Sequence, residues 1–238
     1  MSILSVDFHS HILPGIDDGC PAVDEAIKML QMEYEQGVKK IFLTPHFNAH
    51  VDFPDVFIEN RSKSFDELKF ALGELPKFPE LLLGAEVRFC PGMSSWEQLP
   101  KLALGNTGYI LIEMPNSSWS EETFLELENI YKKQDLIPIL AHIERYFVPF
   151  KTRSILRRLK TLPVLLQANC DFFFERKTQY FARKLLKKGF INLIGSDCHS
   201  ASWRAPNMER ARKQIIGFAD ESLINKIINY EQIVSKSK

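Results

Sequence analysis

The sequence lacks the features that mark secreted and membrane-spanning proteins. It has only 4 cysteines among 238 residues, and none forms a Cys-x-x-Cys pair, so disulfide staples are not indicated. No apolar run approaches the roughly 20 residues that cross a bilayer. The first residues also lack the basic start and apolar core of a signal peptide. We therefore expect a cytoplasmic protein without membrane insertion.

The chain also lacks an excess of either charge, because 30 Lys and Arg residues balance 30 Asp and Glu residues. A neutral balance does not support nucleic acid as a partner, so any charged site has to be local. Hydrophobic residues make up 45% of the sequence, enough for a full core. No Pro/Ser-rich linker or internal repeat divides the chain, so we predict one domain over residues 1–238.

Short β-rich runs alternate with longer amphipathic stretches along the whole chain. Seven strands are predicted, at 3–9, 40–44, 81–87, 109–113, 137–141, 164–168 and 191–196. Helices lie between them, such as 22–36, which Gly37 ends, and 120–134, which Ser120 caps. Repeated strand–helix units predict an α/β fold with a parallel sheet. Seven units favour a closed or slightly irregular barrel, and an open doubly wound sheet is the alternative.

Histidines and carboxylates lie at or just past the carboxyl ends of these strands. The histidines are His9, His11, His46, His142 and His199, and the carboxylates are Asp17, Asp18, Glu86, Glu113 and Asp197. In a barrel of this type the carboxyl ends of all strands meet on one face. Residues that are scattered through the sequence would therefore converge there.

The local pattern points to metal binding. In His9-Ser-His11 the two imidazoles lie on the same side of an extended segment, and Asp197-Cys-His199 repeats this spacing. Glu86 sits in an apolar strand, where an ionised carboxylate is costly unless it is paired or bound to a metal. A lone histidine at a strand end is usually a polar rim residue, so the joint occurrence carries the prediction. Imidazole and carboxylate are the usual ligands of divalent transition metals.

Six segments in order between residues 7 and 206 carry a resemblance to a known family. They are DFHSHILPGIDDG, TPH, GAE, LIEMP, AHIERY and GSDCH. The chain resembles the PHP (polymerase and histidinol phosphatase) family, and more narrowly the bacterial tyrosine-protein phosphatases of capsule and exopolysaccharide operons. The resemblance implies a distorted (β/α)7 barrel with three divalent metal ions, most often manganese, with iron or zinc as alternatives.

The resemblance also implies a role for each matching residue. One metal would be held by His9, His11, Glu86 and Asp197, a second by Glu86, Glu113 and His142, and a third by Asp18, His46 and His199. Asp17 is the less expected ligand of its pair. Arg145 and Arg204 match the positions of phosphate-contacting arginines.

The expected function is a metal-dependent protein-tyrosine phosphatase that uses a metal-activated hydroxide. Its implied substrate is a phosphotyrosine protein, namely a bacterial tyrosine kinase of polysaccharide export. The alternatives are a phosphatase of a small metabolite such as histidinol phosphate, a metal-dependent amidohydrolase, and a metal-binding module without turnover.

A thiol-dependent phosphatase mechanism needs a separate check. Its spacing, a Cys and an Arg six positions later, occurs at Cys170–Arg176 and Cys198–Arg204. That chemistry also needs a loop of backbone N–H groups around phosphate, usually formed with glycine. Neither segment contains glycine, so we interpret both matches as coincidences.

Overall fold

The computed structural model describes residues 3–73, 77–116, 119–147 and 152–236, which form nine parallel strands and seven α-helices. The strands are β1 (Val6–Ser10), β2 (Lys40–Leu43), β3 (His46–Phe47), β4 (Glu80–Leu83), β5 (Glu86–Arg88), β6 (Tyr109–Glu113), β7 (Ile137–Leu140), β8 (Leu165–Asn169) and β9 (Leu193–Gly195). The helices are α1 (Val23–Glu35), α2 (Pro54–Leu72), α3 (Glu121–Gln134), α4 (Thr152–Leu159), α5 (Gln179–Lys187), α6 (Met208–Ile216) and α7 (Glu221–Val234). None of these described helices has the length and apolar character needed to cross a bilayer.

The strands form two hydrogen-bonded sheets with one continuous curvature. One sheet has the order β1-β2-β4, and the other has the order β3-β5-β6-β7-β8-β9. Backbone bonds connect the segment that follows β9 with the end of β1, because the N–H of Asp197 donates to His9 O and the N–H of His11 donates to Cys198 O. The predicted α/β fold with a parallel sheet is therefore confirmed.

One of the seven predicted strands is divided and another is followed by an additional short strand, which is why nine segments are present. The stretch predicted at 81–87 divides into β4 and β5 around Gly84, whose carbonyl accepts a hydrogen bond of 2.7 Å from Arg61. A Cβ at Gly84 would lie 2.6 Å from Leu104 Cδ2, so any larger residue would require that buried side chain to move. The chain after 40–44 likewise resumes as β3 beyond Pro45, which has no N–H for a sheet ladder.

The helix signals in the sequence correspond to the observed ends. Ser120 caps α3, since its hydroxyl accepts from the N–H of Thr123 while the Thr123 hydroxyl accepts from the N–H of Ser120. Helix α1 ends before Gly37, which has φ 86°, a value that glycine adopts without strain. The start of α3 and the end of α1 are therefore determined by residues next to them in the sequence.

Apolar side chains of both sheets pack together in one buried cluster. In the first sheet, Phe8 of β1 stacks on Phe42 of β2, with 5.5 Å between the ring centroids. The second sheet contributes buried side chains to the same cluster, among them Leu111, Ile139 and Leu193. Each large side chain buried this way stabilises the fold by about 1.5–3 kcal/mol. This packed layer fixes the strand ends on which the polar face is built.

Candidate metal centre

Glu86 lies at the centre of the polar face formed by the carboxyl ends of the strands. Its carboxylate is only 1% exposed and is surrounded by imidazoles. Glu86 Oε2 lies 3.3 Å from His9 Nε2, 3.4 Å from His11 Nε2 and 2.9 Å from His46 Nδ1. Glu86 Oε1 lies 2.7 Å from His142 Nε2. Strands β1, β3, β5 and the turn after β7 thus deliver their side chains to one point.

The donor atoms fit a bound cation better than a network of hydrogen bonds. Buried Glu86 Oε2 accepts no hydrogen bond of regular geometry from the described residues, although three ring nitrogens are close. Two of those nitrogens, His9 Nε2 and His11 Nε2, also face each other at 3.0 Å. Nitrogen and carboxylate atoms gathered around one point without satisfying one another are suited to share a divalent metal ion.

Besides the buried group of Asp7, Glu33 and Cys198, three groups of side chains have ligand atoms within 4.8 Å of one another among the described residues. The groups are His9, His11 and Glu86; His11, Asp18, His46 and His199; and His46, Glu86 and Glu113. The first agrees with the first predicted ligand set, and Asp197 Oδ1 lies nearby, 3.6 Å from His9 Nε2 and 3.4 Å from His11 Nε2. The second contains every member of the third predicted set and adds His11.

The remaining predicted set differs in one member. His46 joins Glu86 and Glu113, where the sequence predicts His142. His142 Nε2 still lies 3.8 Å from Glu113 Oε1, so it borders the same carboxylates. Asp18 is the most open of the set at 72% exposed. All nine predicted ligands therefore lie on this face.

Asp197 links the buried face to two arginines at its rim. Its Oδ2 accepts hydrogen bonds from Arg145 at 2.8 Å and Asn169 at 2.7 Å, and it forms an ion pair with Arg204 at 2.6 Å. Burial opposes ionisation of Asp197, but the charges of His9 and His11 outweigh it and hold the pKa well below its usual range. The guanidinium groups are 43% and 32% exposed and border a cavity of about 260 Å³. A ligand can therefore reach both.

Asp17 has a supporting role that the sequence leaves open. Its Oδ2 accepts from His11 Nδ1 at 2.6 Å and from the N–H of His46 at 2.9 Å, and its Oδ1 accepts from the N–H of Gly19. Burial would raise the pKa of Asp17, but the His11 contact outweighs it and lowers the pKa. When His11 is neutral, this carboxylate favours the tautomer with the proton on Nδ1, which leaves Nε2 free to bind a metal, as second partners of metal-bound histidines usually do.

The sequence reasoning missed two polar residues of β8. Gln167 Oε1 lies 3.3 Å from His9 Nδ1 and accepts from the N–H of His142 at 2.7 Å. Asn169 donates to Asp197. The signal was available, because these two buried amides alternate along an otherwise apolar strand and so face the same side.

The backbone is strained at three positions of this face. His142, Asp197 and Arg204 have φ values of 32°, 52° and 54°, in the left-handed region that residues with a side chain rarely adopt. Each such residue costs on the order of 1–3 kcal/mol and persists only where its surroundings hold it. The strain coincides with residues predicted to bind metal or phosphate.

The two cysteines with thiol-phosphatase spacing are inaccessible. Cys170 and Cys198 are fully buried, and burial raises the pKa of both thiols well above the ordinary value. Cys170 Sγ lies 3.2 Å from the sulfur of Met208. A buried thiol with a raised pKa is a poor nucleophile, so this geometry does not support thiol chemistry.

Comparison with known proteins gives consistent matches over nearly the whole chain. The family model for "Capsular polysaccharide synthesis, CpsB/CapC" matches residues 5–234. The tyrosine-protein phosphatase CpsB of Streptococcus agalactiae is 25% identical over 220 residues, which are 88% of this chain and 89% of the relative. The tyrosine-protein phosphatase YwqE of Bacillus subtilis is 27% identical over 208 residues, covering 84% and 79%.

A solved structure has the same fold. It comes from the crystal structures of YwqE from Bacillus subtilis and CpsB from Streptococcus pneumoniae, which are metal-dependent tyrosine phosphatases. The TM-score is 0.83 at 24% identity, with 98% of this chain and 95% of that chain covered. The similarity thus extends through every strand that supplies the polar face.

Proposed function

This chain belongs to the CpsB/CapC family of capsular polysaccharide synthesis, and on that premise we propose that it is a metal-dependent protein-tyrosine phosphatase. The observation that carries the proposal is the environment of Glu86. One buried carboxylate is surrounded by four imidazoles, and two arginines stand beside it on Asp197. Metal ligands and phosphate-binding groups therefore share one open face. The relatives named tyrosine-protein phosphatases support the same chemistry.

The donor set is large enough for three divalent ions, with manganese the first choice and iron or zinc the alternatives. Asp18, Glu86, Glu113 and Asp197 supply four negative charges, and the ligating imidazoles are neutral. Three divalent ions would leave the site about +2, which attracts a phosphate dianion. When bound, such ions polarise phosphoryl oxygens and lower the pKa of water toward neutrality.

The chain's own residues then have distinct roles. Arg145 and Arg204 bind the non-bridging oxygens of the phosphate, a task that suits exposed guanidinium groups with several donors. Asp17 orients His11, and Tyr146, whose hydroxyl lies 3.3 Å from His142 Nδ1, orients His142. Asp197 holds both arginines toward the face before the substrate arrives.

The architecture is consistent with a distorted (β/α)7 barrel in one domain over residues 1–238. The pairs β2/β3 and β4/β5 each count as one interrupted strand, and the segment that follows β9 is hydrogen-bonded to the end of β1. The open rim at Arg145 and Arg204 suits phosphotyrosine on a protein chain. The substrate in this proposal is a cytoplasmic tyrosine kinase of capsule synthesis.

The test is a comparison of substrates and metals. Phosphotyrosine peptides should be hydrolysed with a higher kcat/KM than histidinol phosphate, and chelation should abolish turnover until manganese is returned. Fully active protein should hold more than one metal ion per chain. A preference for the small metabolite would replace the proposal with a metabolite phosphatase. Metal-loaded protein that turns over neither substrate would be a binding module.

A second arm tests the nucleophile. Cys170→Ser and Cys198→Ser should keep their activity, because both thiols are buried. If metal-loaded, folded Cys198→Ser had no activity, the thiol mechanism would be restored.

A further inference from the structure

Helices α4 and α5 carry positive charge without any acidic residue. The basic residues on them and directly after them are Arg153, Arg157, Arg158, Lys160, Arg183, Lys184, Lys187 and Lys188. The whole chain is neutral, with 30 basic and 30 acidic residues, so this concentration is local. A local excess of one sign on adjacent elements attracts ligands of the opposite sign.

A groove of about 610 Å³ runs between these two helices, and we call it the α4–α5 groove. Its base is apolar, with Leu156 and Leu185 buried and Phe181 and Phe190 half-buried. Its rim consists of Arg153, Arg157, Lys160, Lys184 and Lys188. The groove therefore combines an apolar base with a cationic rim.

The rim cations are available to a ligand. Within the described parts of the chain none of the five forms an ion pair, whereas neighbouring Arg158 pairs with Glu121 at 3.1 Å. Arg183 and Lys187 lie instead over the ring of Phe218. Lys160 Nζ lies 4.3 Å from the ring centroid of Phe190, and Lys160 is an exposed residue. The groove thus holds cations that the described structure does not neutralise.

The groove adjoins the proposed active site. Phe181 of the groove lies 6.2 Å from Phe172, measured between ring centroids, and Phe172 also lines the cavity beside Arg145 and Arg204. Phe147, which follows the Arg145 turn, lies 5.5 Å from Phe181. The packed rings of buried Phe172 and half-buried Phe181 connect the two, so a peptide whose phosphotyrosine occupies the cavity lies close to the groove.

We propose that the α4–α5 groove binds an acidic segment of the phosphoprotein substrate next to the phosphotyrosine, which rests on the proposed function. Charge complementarity selects acidic side chains for the rim, and the half-buried rings of Phe181 and Phe190 accept apolar side chains between them. The groove would set substrate preference, because small phosphate esters do not extend to it.

The shape favours a peptide over an anionic membrane surface. The apolar residues lie at the base of a concave groove, where a flat bilayer cannot reach them. Membrane-bound amphipathic helices instead bury an exposed apolar face in the lipid. An extended chain can contact base and rim together.

The test is the double charge reversal Arg157→Glu/Lys184→Glu, with Lys28→Glu/Lys101→Glu as the matched control. The control changes two exposed lysines elsewhere by the same net charge. Substrates are an acidic-flanked phosphotyrosine peptide, a neutral-flanked one and p-nitrophenyl phosphate. We expect the reversal to lower kcat/KM for the acidic peptide by about tenfold, mainly through KM. The other two substrates, and every substrate with the control variant, should stay within about twofold.

Further measurements separate the possible failures. Arg157→Gln/Lys184→Gln should give a smaller loss in the same direction, and circular dichroism with metal analysis checks that each variant is folded and loaded. Equal losses for acidic and neutral peptides would overturn the proposal. So would binding to phosphatidylglycerol vesicles that depends on Arg157 and Lys184 while peptide turnover does not.

If the proposed function is wrong, the question whether the α4–α5 groove binds an acidic segment can still be tested. If the wild type hydrolysed no phosphotyrosine substrate, fluorescence anisotropy with an unphosphorylated acidic peptide would still test binding. Loss of that binding in the charge-reversal variant would support the groove, and unchanged binding would contradict it.

Discussion

Carboxyl groups are buried at both ends of the strands, with opposite electrostatic outcomes. At the carboxyl ends, burial opposes ionisation of Glu86, but the charge of His9 and contacts with His11 and His142 hold its pKa well below the usual range. At the amino end of β1, burial raises the pKa of Glu231 from 4.5 to about 7, and hydrogen bonds from Ser5 offset it only in part. Neighbouring groups, not burial alone, decide which carboxyl is charged.

The carboxyl ends of the strands therefore hold a charged carboxylate that suits cation binding, whereas the carboxyl group at the amino end of β1 is neutral below its pKa of about 7. In the proposed metal centre Glu86 would need its negative charge to hold metal, whereas neutral Glu231 is the better form inside the fold. The substitution of Glu by Gln removes the charge and keeps the size. We therefore expect Glu86→Gln to remove metal binding and Glu231→Gln to stabilise the folded protein.

Glu86→Gln is the most severe test of the comparison. The amide removes the charge that the four imidazoles surround, so metal should be lost together with its Lewis acidity. We expect turnover of a phosphotyrosine peptide to fall by more than about a thousandfold, since metal chemistry contributes several kcal/mol. Elemental analysis and steady-state kinetics measure both effects.

Glu80→Gln is the matched control, because Glu80 is an exposed residue of β4 on the same interrupted strand. It should keep both metal and activity. Full activity with a complete metal load in Glu86→Gln would remove Glu86 from the centre of the site.

Arg145→Ala and Arg204→Ala test whether the two arginines at the rim bind phosphate rather than support metal binding. Each substitution should cost about 2–4 kcal/mol of transition-state stabilisation while the metal content stays unchanged. Arg158→Ala, which removes an arginine paired with Glu121 on another surface, is the control. If either rim variant lost metal, the role of these arginines would be to hold Asp197 in place and not to bind phosphate.

Much of the polar face is predictable from the sequence because its signals are local. Strand ends, the His9-Ser-His11 spacing and the Ser120 cap depend on nearby residues, and family-like motifs add the ligand set. The parallel order of the strands and the convergence of distant histidines follow from repeated strand–helix units.

The remaining features depend on contacts between distant segments. The break at Gly84 is determined by Leu104 and Arg61, which strand periodicity does not contain. Gln167 matters because it contacts His9 and the backbone of His142. The raised pKa of Glu231 comes from its burial in the folded protein, which the hydrogen bonds from Ser5, 226 residues away in the sequence, offset only in part. Such three-dimensional neighbours leave no pattern in a single sequence.

Asp17→Asn tests whether the negative charge next to His11 supports the metal face. The change keeps the size but weakens the acceptor of the His11 ring proton, so we expect a loss of about 10–100-fold in metal affinity or activity. Metal titration of the apoprotein measures the affinity. Asp66→Asn on the exposed side of α2 is the control and should behave as wild type. Unchanged affinity in Asp17→Asn would mean that His11 is oriented by other contacts.

Glu231→Gln should have the smallest effect, and in the opposite direction. Because folding raises the pKa of Glu231 from 4.5 to about 7, the folded state binds the proton more tightly than the unfolded state. The stability from this protonated group is fully present below pH 4.5 and is lost as the pH rises through about 7.

Gln does not ionise and can still accept from Ser5, so it should lack this loss. Its advantage over wild type should be smallest at pH 5 and should grow by about 1–3 kcal/mol between pH 5 and pH 8. Urea denaturation of both proteins with equal metal content, at pH 5, 6, 7 and 8, measures the difference, and exposed Glu35→Gln should show none of this pH dependence. A constant difference across that range would mean that Glu231 is charged in the folded protein, and the contrast with Glu86 would disappear.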